Sequence, residues 1–418
     1  MIKVGSDFSG VGAFDQALIR LGIDYQKVFA CDWDRYARQT YIHNYGEPDY
    51  FPMDVYDREI PTEPLDIYMT SPPCQAFSLA GKRKGEDDKR GVLFYNSHEF
   101  IRRNRPRYFI FENVKGLLSD DGGQTFSKWL QMLAGKSLVG LPTVFPHPDS
   151  VPYHVYYRVL NAKDYGIPQN RERVFIVGIR DDADNNFRWP REQHLEKRLR
   201  DILEPEVDEK YYLSDRIIAG FTNKSNGFNG KFTPTNGDVV GNCITASCYN
   251  TAVTDNFIQV KSATKQGYEV AEIGEDSINF EQPNSETRRG RVGKRVSQTI
   301  TAGCQQGVLV AKRERTEEGK KIRKENRAKG NDTNPFQSKE TFFEPSDVMN
   351  CIGTSLSVDN QLSYDGYRIR RLTPRECFRL MDFPDSFTWP VSDTQAYKQA
   401  GNSICVGVLA EIIGKLKL

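Results

Sequence analysis

The chain has 418 residues, with 57 Lys and Arg against 56 Asp and Glu and a formal net charge of +1. At roughly 150 residues per domain this length predicts two or three domains, and an aromatic content of 11% excludes a globally disordered or collagen-like chain. There is no apolar run of the ~18 residues a membrane-spanning helix needs, no signal-peptide pattern and no zinc-type cysteine spacing among the eight cysteines, so a cytoplasmic protein without membrane or metal is expected.

Residues 1–190 alternate short apolar runs with amphipathic stretches. A strand over 2–4 is followed by Ser9-Gly10-Val11-Gly12 and a helical pattern over 14–21. A second strand over 28–30 precedes Asp32. A third, over 66–70, leads into Ser71-Pro72-Pro73-Cys74. A fourth, over 108–111, leads into Glu112-Asn113-Val114. A fifth, over 174–179, follows Gln169-Asn170-Arg171-Glu172-Arg173. Strands that alternate with helices predict βαβ units and a mostly parallel sheet.

From about 195 to 365 the composition shifts to Gly, Asn, Thr and Ser, and helical periodicity fades. This region reads as an irregular, β-rich second domain. Three weakly similar segments, 242–246, 298–302 and 350–354, read as short strands or as chance likeness among β-prone residues. A charged run over 312–329 reads first as a solvated face. A helical stripe of Ile404, Val408, Ile412 and Leu416 predicts a closing helix that packs on the first domain.

Several residues in this frame point to chemistry. Gly10 and Gly12 after the first strand let backbone approach a ligand at a helix N-terminus, with a plain tight turn as the alternative. Asp32, 20 residues after Gly12, suits an acid that bonds ribose hydroxyls, and Trp33 beside it suits stacking on a purine. Two prolines hold Cys74 outside regular structure at a strand's carboxyl end, where open α/β sheets bind ligands. Glu112 follows a fully apolar strand, so poor hydration is expected to raise its pKa, with an N-cap or a salt bridge to one of the arginines at 102, 103, 105 and 107 as the competing reading. Arg171 and Arg173 lie at i and i+2 of an extended segment and so share a face. The polar stretch 80–90 reads as a lid over Cys74.

Taken together, these segments resemble the cytosine-5 DNA methyltransferases. Phe8-Ser9-Gly10-Val11-Gly12 is similar to that family's cofactor loop, and Asp32-Trp33 to its ribose and adenine contacts. Pro72-Pro73-Cys74-Gln75 with Phe77-Ser78 resembles its nucleophile motif, Arg90-Gly91-Val92-Leu93 its cofactor-closing segment, and Glu112-Asn113-Val114 its acid motif. The run from Tyr165 to Arg173 resembles its double-arginine motif, and Arg371-Leu372-Thr373-Pro374-Arg375-Glu376 and Gln395–Ser403 its two C-terminal motifs. The order along the chain is the family's.

The resemblance implies an α/β fold. A Rossmann-like, S-adenosylmethionine-dependent domain over 1–190 would be completed by 368–418, with a smaller β-rich target-recognition domain over 191–367. It implies methyl transfer from S-adenosyl-L-methionine to C5 of a flipped-out cytosine in double-stranded DNA. Cys74 would be the nucleophile at C6, Glu112 the acid at N3, Arg173 the group on the cytosine carbonyl, and Arg171 a brace for the thiolate side or a flanking phosphate. Implied cofactor contacts are Phe8, Gly10, Val11, Asp32, Trp33, Asp54, Val55, Leu93 and Asn402. Gln75, Ser78 and Arg90 would face the substrate, and Arg288, Arg289 and Arg291, with Lys294 and Arg295, would grip phosphates. A monomer working in DNA modification, with or without a cognate restriction endonuclease, is expected. A methyltransferase acting on RNA and a silent DNA-binding relative are the competing readings. Two departures stand out. The family's acid two residues before the loop phenylalanine is replaced by Ser6, with an acid one later at Asp7. The last glycine of the loop is Ala13.

Overall fold

A computed structural model describes residues 1–72, 93–212, 257–264, 268–272, 276–282, 285, 287–301, 306–311, 314–315, 362–363 and 367–418. The chain divides into two units. One is Met1–Glu196 with Thr301–Gly303 and Cys377–Leu418, and the other is Lys197–Ile300 with Cys304–Glu376.

The first unit contains β1 (Ile2–Asp7), α1 (Ala13–Arg20), β2 (Tyr25–Cys31), α2 (Arg35–Tyr45), β3 (Ile67–Thr70), α3 (Leu93–Asn104), β4 (Tyr108–Val114) and α4 (Gln124–Leu133). Short strands β5 (Ser137–Leu138) and β6 (Leu141–Pro142) follow, then β7 (Tyr153–Asn161), β8 (Gln169–Asn170) and β9 (Glu172–Arg180). Near the C-terminus come α5 (Pro374–Leu380), α6 (Asp393–Asn402) and α7 (Val406–Ile413).

Eight strands form one sheet in the order β2-β1-β3-β4-β9-β7-β5-β6. The first four are parallel. β9 runs antiparallel to both β4 and β7. The central strands are apolar along their length because both faces are covered: β3 is buried throughout, and β4 is buried from Tyr108 to Asn113. The aromatic core beside them includes Phe29, Tyr68, Phe94, Phe100, Phe109, Phe111 and Trp129, with Phe94 stacked on Trp129 at 4.1 Å between ring centroids.

α6 and α7 belong to this unit, and α5 begins in the other unit and enters this one at Cys377. Val408 and Ile412 of α7 are buried, and α7 packs on α1. The helix is shorter than its 404–416 stripe, yet Ile404 and Leu416 are buried just beyond its ends. Thr373 and Glu376 open α5 with a reciprocal capping box. The Glu376 amide donates to Thr373 Oγ1 at 3.2 Å, and the Thr373 amide donates to Glu376 Oε2 at 2.8 Å. Pro374 sits at the first helical position, where a missing N–H costs nothing.

Among the described residues, the second unit is built from antiparallel pairs. Phe257–Lys261 pairs with Tyr268–Glu272, and a four-stranded sheet joins Val292–Gly293, Ser277–Asn279, Gln306–Ala311 and Tyr367–Arg371. The segments 242–246 and 350–354, and all of the charged run but 314–315, lie outside the described residues.

Candidate functional site

The sheet register sets the site. Asp7 pairs with Cys31 on one side and Thr70 on the other, and Thr70 pairs with Phe111. Phe8, Asp32, Ser71 and Glu112 are therefore the next residues along four adjacent parallel strands. They form one row at the carboxyl edge, where open α/β sheets bind ligands. Spacing along the chain predicted each residue near a strand end; the row itself is a product of the pairing.

The loop after β1 is fastened to the end of β2. Ser9 donates its amide to the Cys31 carbonyl at 2.9 Å, and the Cys31 amide donates to Ser9 Oγ at 3.0 Å. Gly10 donates its amide to Asp32 Oδ2 at 2.7 Å, while Asp32 Oδ1 accepts from the Asp34 amide at 2.9 Å. Phe8 and Gly10 both have φ of 55°, in the left-handed region, so the chain turns sharply on either side of Ser9. A Cβ on Gly10 would meet nothing within 4 Å, so space lies open beside this backbone. Gly12 is required for another reason: a Cβ there would lie 2.2 Å from the Tyr45 ring. Val11 is buried, and Trp33 is 77% exposed.

Glu112 continues β4 rather than following it, and faces Phe175 of β9. Arg173 pairs with Val114, two residues on, so its side chain is the diagonal neighbour of Glu112 on the same face. Arg173 Nε lies 3.1 Å from Glu112 Oε1, with the two side chains 16% and 11% exposed. Burial raises the Glu112 carboxyl above its ordinary range, against the pull of Arg173 and then Arg171. This meets the expected direction; the ion pair is with Arg173, while Arg102 pairs with Glu99 and Arg105 with Asp181.

Arg171 does not stand beside Arg173 as a second substrate-facing group. It is 4% exposed, and its Nη2 donates to the carbonyls of Gly401 at 3.0 Å and Ser403 at 2.8 Å. A guanidinium held this way is not placed to meet a flanking phosphate, which corrects that expectation. It ties the chain between β8 and β9 to the end of α6, whose last residue is the exposed Asn402. A second clasp joins α6 to α2. Lys398 Nζ lies 2.5 Å from Asp34 Oδ2, and Gln399 accepts from Thr40 Oγ1 at 3.0 Å and donates to the Tyr36 carbonyl at 2.9 Å. Asp34 also caps α2.

Cys74, Gln75, Ser78, Arg90 and the stretch 80–90 lie outside the described residues. Just before Cys74 in the chain, the Pro72 carbonyl accepts from Asn113 Nδ2 at 3.4 Å, and Ser71 Oγ donates to the Phe8 carbonyl at 3.5 Å. The described cysteines, Cys31, Cys377 and Cys405, are buried thiols. Burial pushes the Cys405 thiol up to about 12, which keeps it from forming a nucleophilic thiolate.

Val55 is buried and Asp54 exposed, and Leu93 begins α3 half-buried. A cavity of about 610 Å³ lies between Val55, Tyr56 and Arg58 and the α3 residues Tyr95, Asn96 and Glu99. Val55 is the one expected cofactor contact on its lining, so the register row, and not this cavity, defines the candidate site. Sequence reasoning did not connect Asp7 with Arg58. Their side chains meet at 2.9 Å behind the loop, and no local spacing signals a pairing across 51 positions.

In the second unit, Arg289 is exposed and Arg288 donates to Glu281 Oε2 at 2.8 Å. Lys294 and the Arg295 amide both bond Asp276. Arg291 is a correction. It is fully buried and donates to the carbonyls of Asn279, Glu281 and Gln282, so it stiffens the unit and does not face a phosphate. Among the described residues no three metal-binding side chains cluster, and no helix is long and apolar enough to cross a membrane.

Residues 2–418 match a family model described as C-5 cytosine-specific DNA methylase. The orphan methyltransferase M.SPRI of Bacillus phage SPR is 30% identical, over 99% of this chain and 97% of that protein. The type II methyltransferase M.HpaII of Haemophilus parainfluenzae is 30% identical, over 96% of this chain and 84% of its own. The fold also matches a DNMT2 mutant of Spodoptera frugiperda, with a TM-score of 0.56, 18% identity and 99% coverage of both chains.

Proposed function

The chain belongs to the C-5 cytosine-specific DNA methylase family, and from that premise we propose that it transfers a methyl group from S-adenosylmethionine to C5 of a cytosine in double-stranded DNA. The observation that carries the reading is the row of Phe8, Asp32, Ser71 and Glu112 at one sheet edge, with Arg173 against Glu112.

The residues fit the cofactor. Open space beside Gly10 admits a ligand to the backbone, the Asp32 carboxylate suits ribose hydroxyls, and the exposed Trp33 indole offers a face to adenine. Phe8, Val11, Asp54, Val55, Leu93 and Asn402 complete the contact set. When bound, S-adenosylmethionine supplies an electrophilic methyl on a sulfonium centre. Cytosine C5 is a weak nucleophile, so the protein must first raise its electron density. Cys74, as thiolate, forms a bond to C6 and pushes the ring electrons toward C5. Glu112, whose protonated form burial favours, donates to N3 and stabilises the charge that gathers there. Arg173 holds both Glu112 and the ring carbonyl. After methyl transfer, loss of the C5 proton to a base returns an electron pair to the ring and expels the Cys74 thiolate.

A base inside a duplex cannot reach this edge, so the target is flipped out. Gln75, Ser78 and Arg90, on the segment around Cys74, hold the substrate side. The second unit, Lys197–Ile300 with Cys304–Glu376, reads the sequence and supplies phosphate contacts through Arg288 and Arg289. The protein works as a monomer in DNA modification; its relatives are named as an orphan and a type II methyltransferase.

Bisulfite sequencing of plasmid DNA from cells that express the chain, beside a Cys74→Ala control, tests this reading. Protected cytosines in one sequence context, absent in the control, are expected. Soluble protein that binds the cofactor yet protects no cytosine in DNA would overturn DNA as the substrate.

A further inference from the structure

Asp7 ends β1 and is 1% exposed. Its Oδ1 lies 2.9 Å from Arg58 Nε, and its Oδ2 accepts from the Tyr68 hydroxyl at 2.6 Å. The Asp7 and Arg58 side chains are 0% and 2% exposed. The guanidinium also lies over the Phe100 ring, 4.5 Å from its centroid. Successive strand side chains point to opposite faces. An acid at position 6 would lie on the side where Ser6 Oγ meets Ser9 Oγ at 2.8 Å. Moved by one residue, the acid turns into the core and meets Arg58.

A buried ion pair is weak evidence for stability, because apolar side chains of similar volume serve as well. What this pair fixes is position. Asp7 immediately precedes the left-handed turn at Phe8. Arg58 lies three residues after Val55 and four after Asp54, in a stretch between α2 and β3 whose earlier part is held to the end of β2, where the Ala30 amide donates to the Tyr50 carbonyl at 3.2 Å and the Asp32 amide to the Pro52 carbonyl at 3.3 Å. Its guanidinium adds a side-chain tie from the later part of that stretch, past Asp54 and Val55, to the end of β1.

We propose that Arg58, held by Asp7, is a positioning residue for cofactor affinity, which sets the segment carrying Asp54 and Val55 against the turn carrying Phe8. The inference rests on the cofactor site proposed above. The pair acts on binding of the nucleoside and not on the chemical step.

The test is calorimetric binding of S-adenosylhomocysteine, with steady-state kinetics and thermal melting, on wild type, Asp7→Leu/Arg58→Leu and Arg58→Lys. The apolar pair is expected to melt near wild type and to weaken binding about tenfold, with KM for S-adenosylmethionine rising in step while kcat at saturation holds within about twofold. Arg58→Lys, which restores a cation, should fall between. A folded leucine pair with wild-type affinity overturns the proposal. If that variant does not fold, Arg58→Lys decides: weaker binding at an unchanged melting temperature supports the tie, and unchanged binding overturns it. Wild-type protein that binds no S-adenosylhomocysteine would instead sink the cofactor-site reading itself.

Discussion

Arg173 and Glu112 meet diagonally across the β4–β9 ladder, with the guanidinium Nε 3.1 Å from the carboxyl Oε1. The two groups pull the same proton in opposite directions. Burial favours the neutral acid, and the cation favours the carboxylate. Burial dominates, so the acid keeps its proton to higher pH than an exposed glutamate would.

Activity that needs protonated Glu112 should therefore fall as pH rises through its raised pKa. Glu112→Gln should lower kcat by about 10²–10³, roughly 3–4 kcal/mol, as when a transition-state donor is lost. It should also abolish that alkaline limb. Arg173→Met removes the larger of the two cationic influences, so the Glu112 pKa should move further up. Carbon-13 titration of the Glu112 carboxyl, beside pH–rate profiles, checks both. Near-wild-type kcat in Glu112→Gln would show that another group serves N3.

Trp33, at 77% exposure, contributes little to the core, so Trp33→Ala should leave the melting temperature nearly unchanged. It should weaken S-adenosylmethionine binding by about 1 kcal/mol, the scale of one aromatic stacking contact. Emission from an exposed indole should shift to the blue when the cofactor binds, and the shift should vanish in the variant. A variant that binds like wild type would remove Trp33 from the pocket.

Much of this arrangement was legible because central parallel strands are apolar runs that end in polar signals. The strands ending at Thr70 and near Glu112 could be read from the sequence in that way. β7 could not, because its Tyr153–Asn161 stretch mixes Tyr, His and Arg with Val and Leu, and the alternation of buried and half-exposed positions breaks down after Tyr156. The row at the sheet edge was legible residue by residue but not as a row, since register comes from hydrogen-bonded pairing that no single segment encodes. The Asp7–Arg58 pair and the burial of Arg291 were hidden for a related reason. Composition makes a charge look solvated, and only the fold reveals a partner distant in sequence or carbonyls turned inward.

Arg171 illustrates the same limit and yields a separable prediction. Arg171→Met would leave the carbonyls of Gly401 and Ser403 without its two hydrogen bonds, at a cost of about 2–3 kcal/mol for bonds to a charged donor. Asn402 lies between those carbonyls, so cofactor affinity should fall together with the melting temperature. Thermal melting and cofactor titration on one sample check the link. A normal melting temperature with kcat alone reduced would place Arg171 in the chemistry instead.

Arg289 and Arg291 stand two residues apart and should respond in opposite ways. Arg289 is exposed, so Arg289→Ala should leave folding intact, weaken DNA binding across sequences and reduce the slope of log affinity against log salt by about one. Arg291 is fully buried on three backbone carbonyls. Arg291→Ala would strand those acceptors and open a cavity, at a cost of about 3 kcal/mol in the second unit. Its salt slope, measured below the melting transition, should match wild type, because no phosphate contact is lost. A lowered slope in Arg291→Ala would mean that this guanidinium leaves its carbonyls to meet DNA.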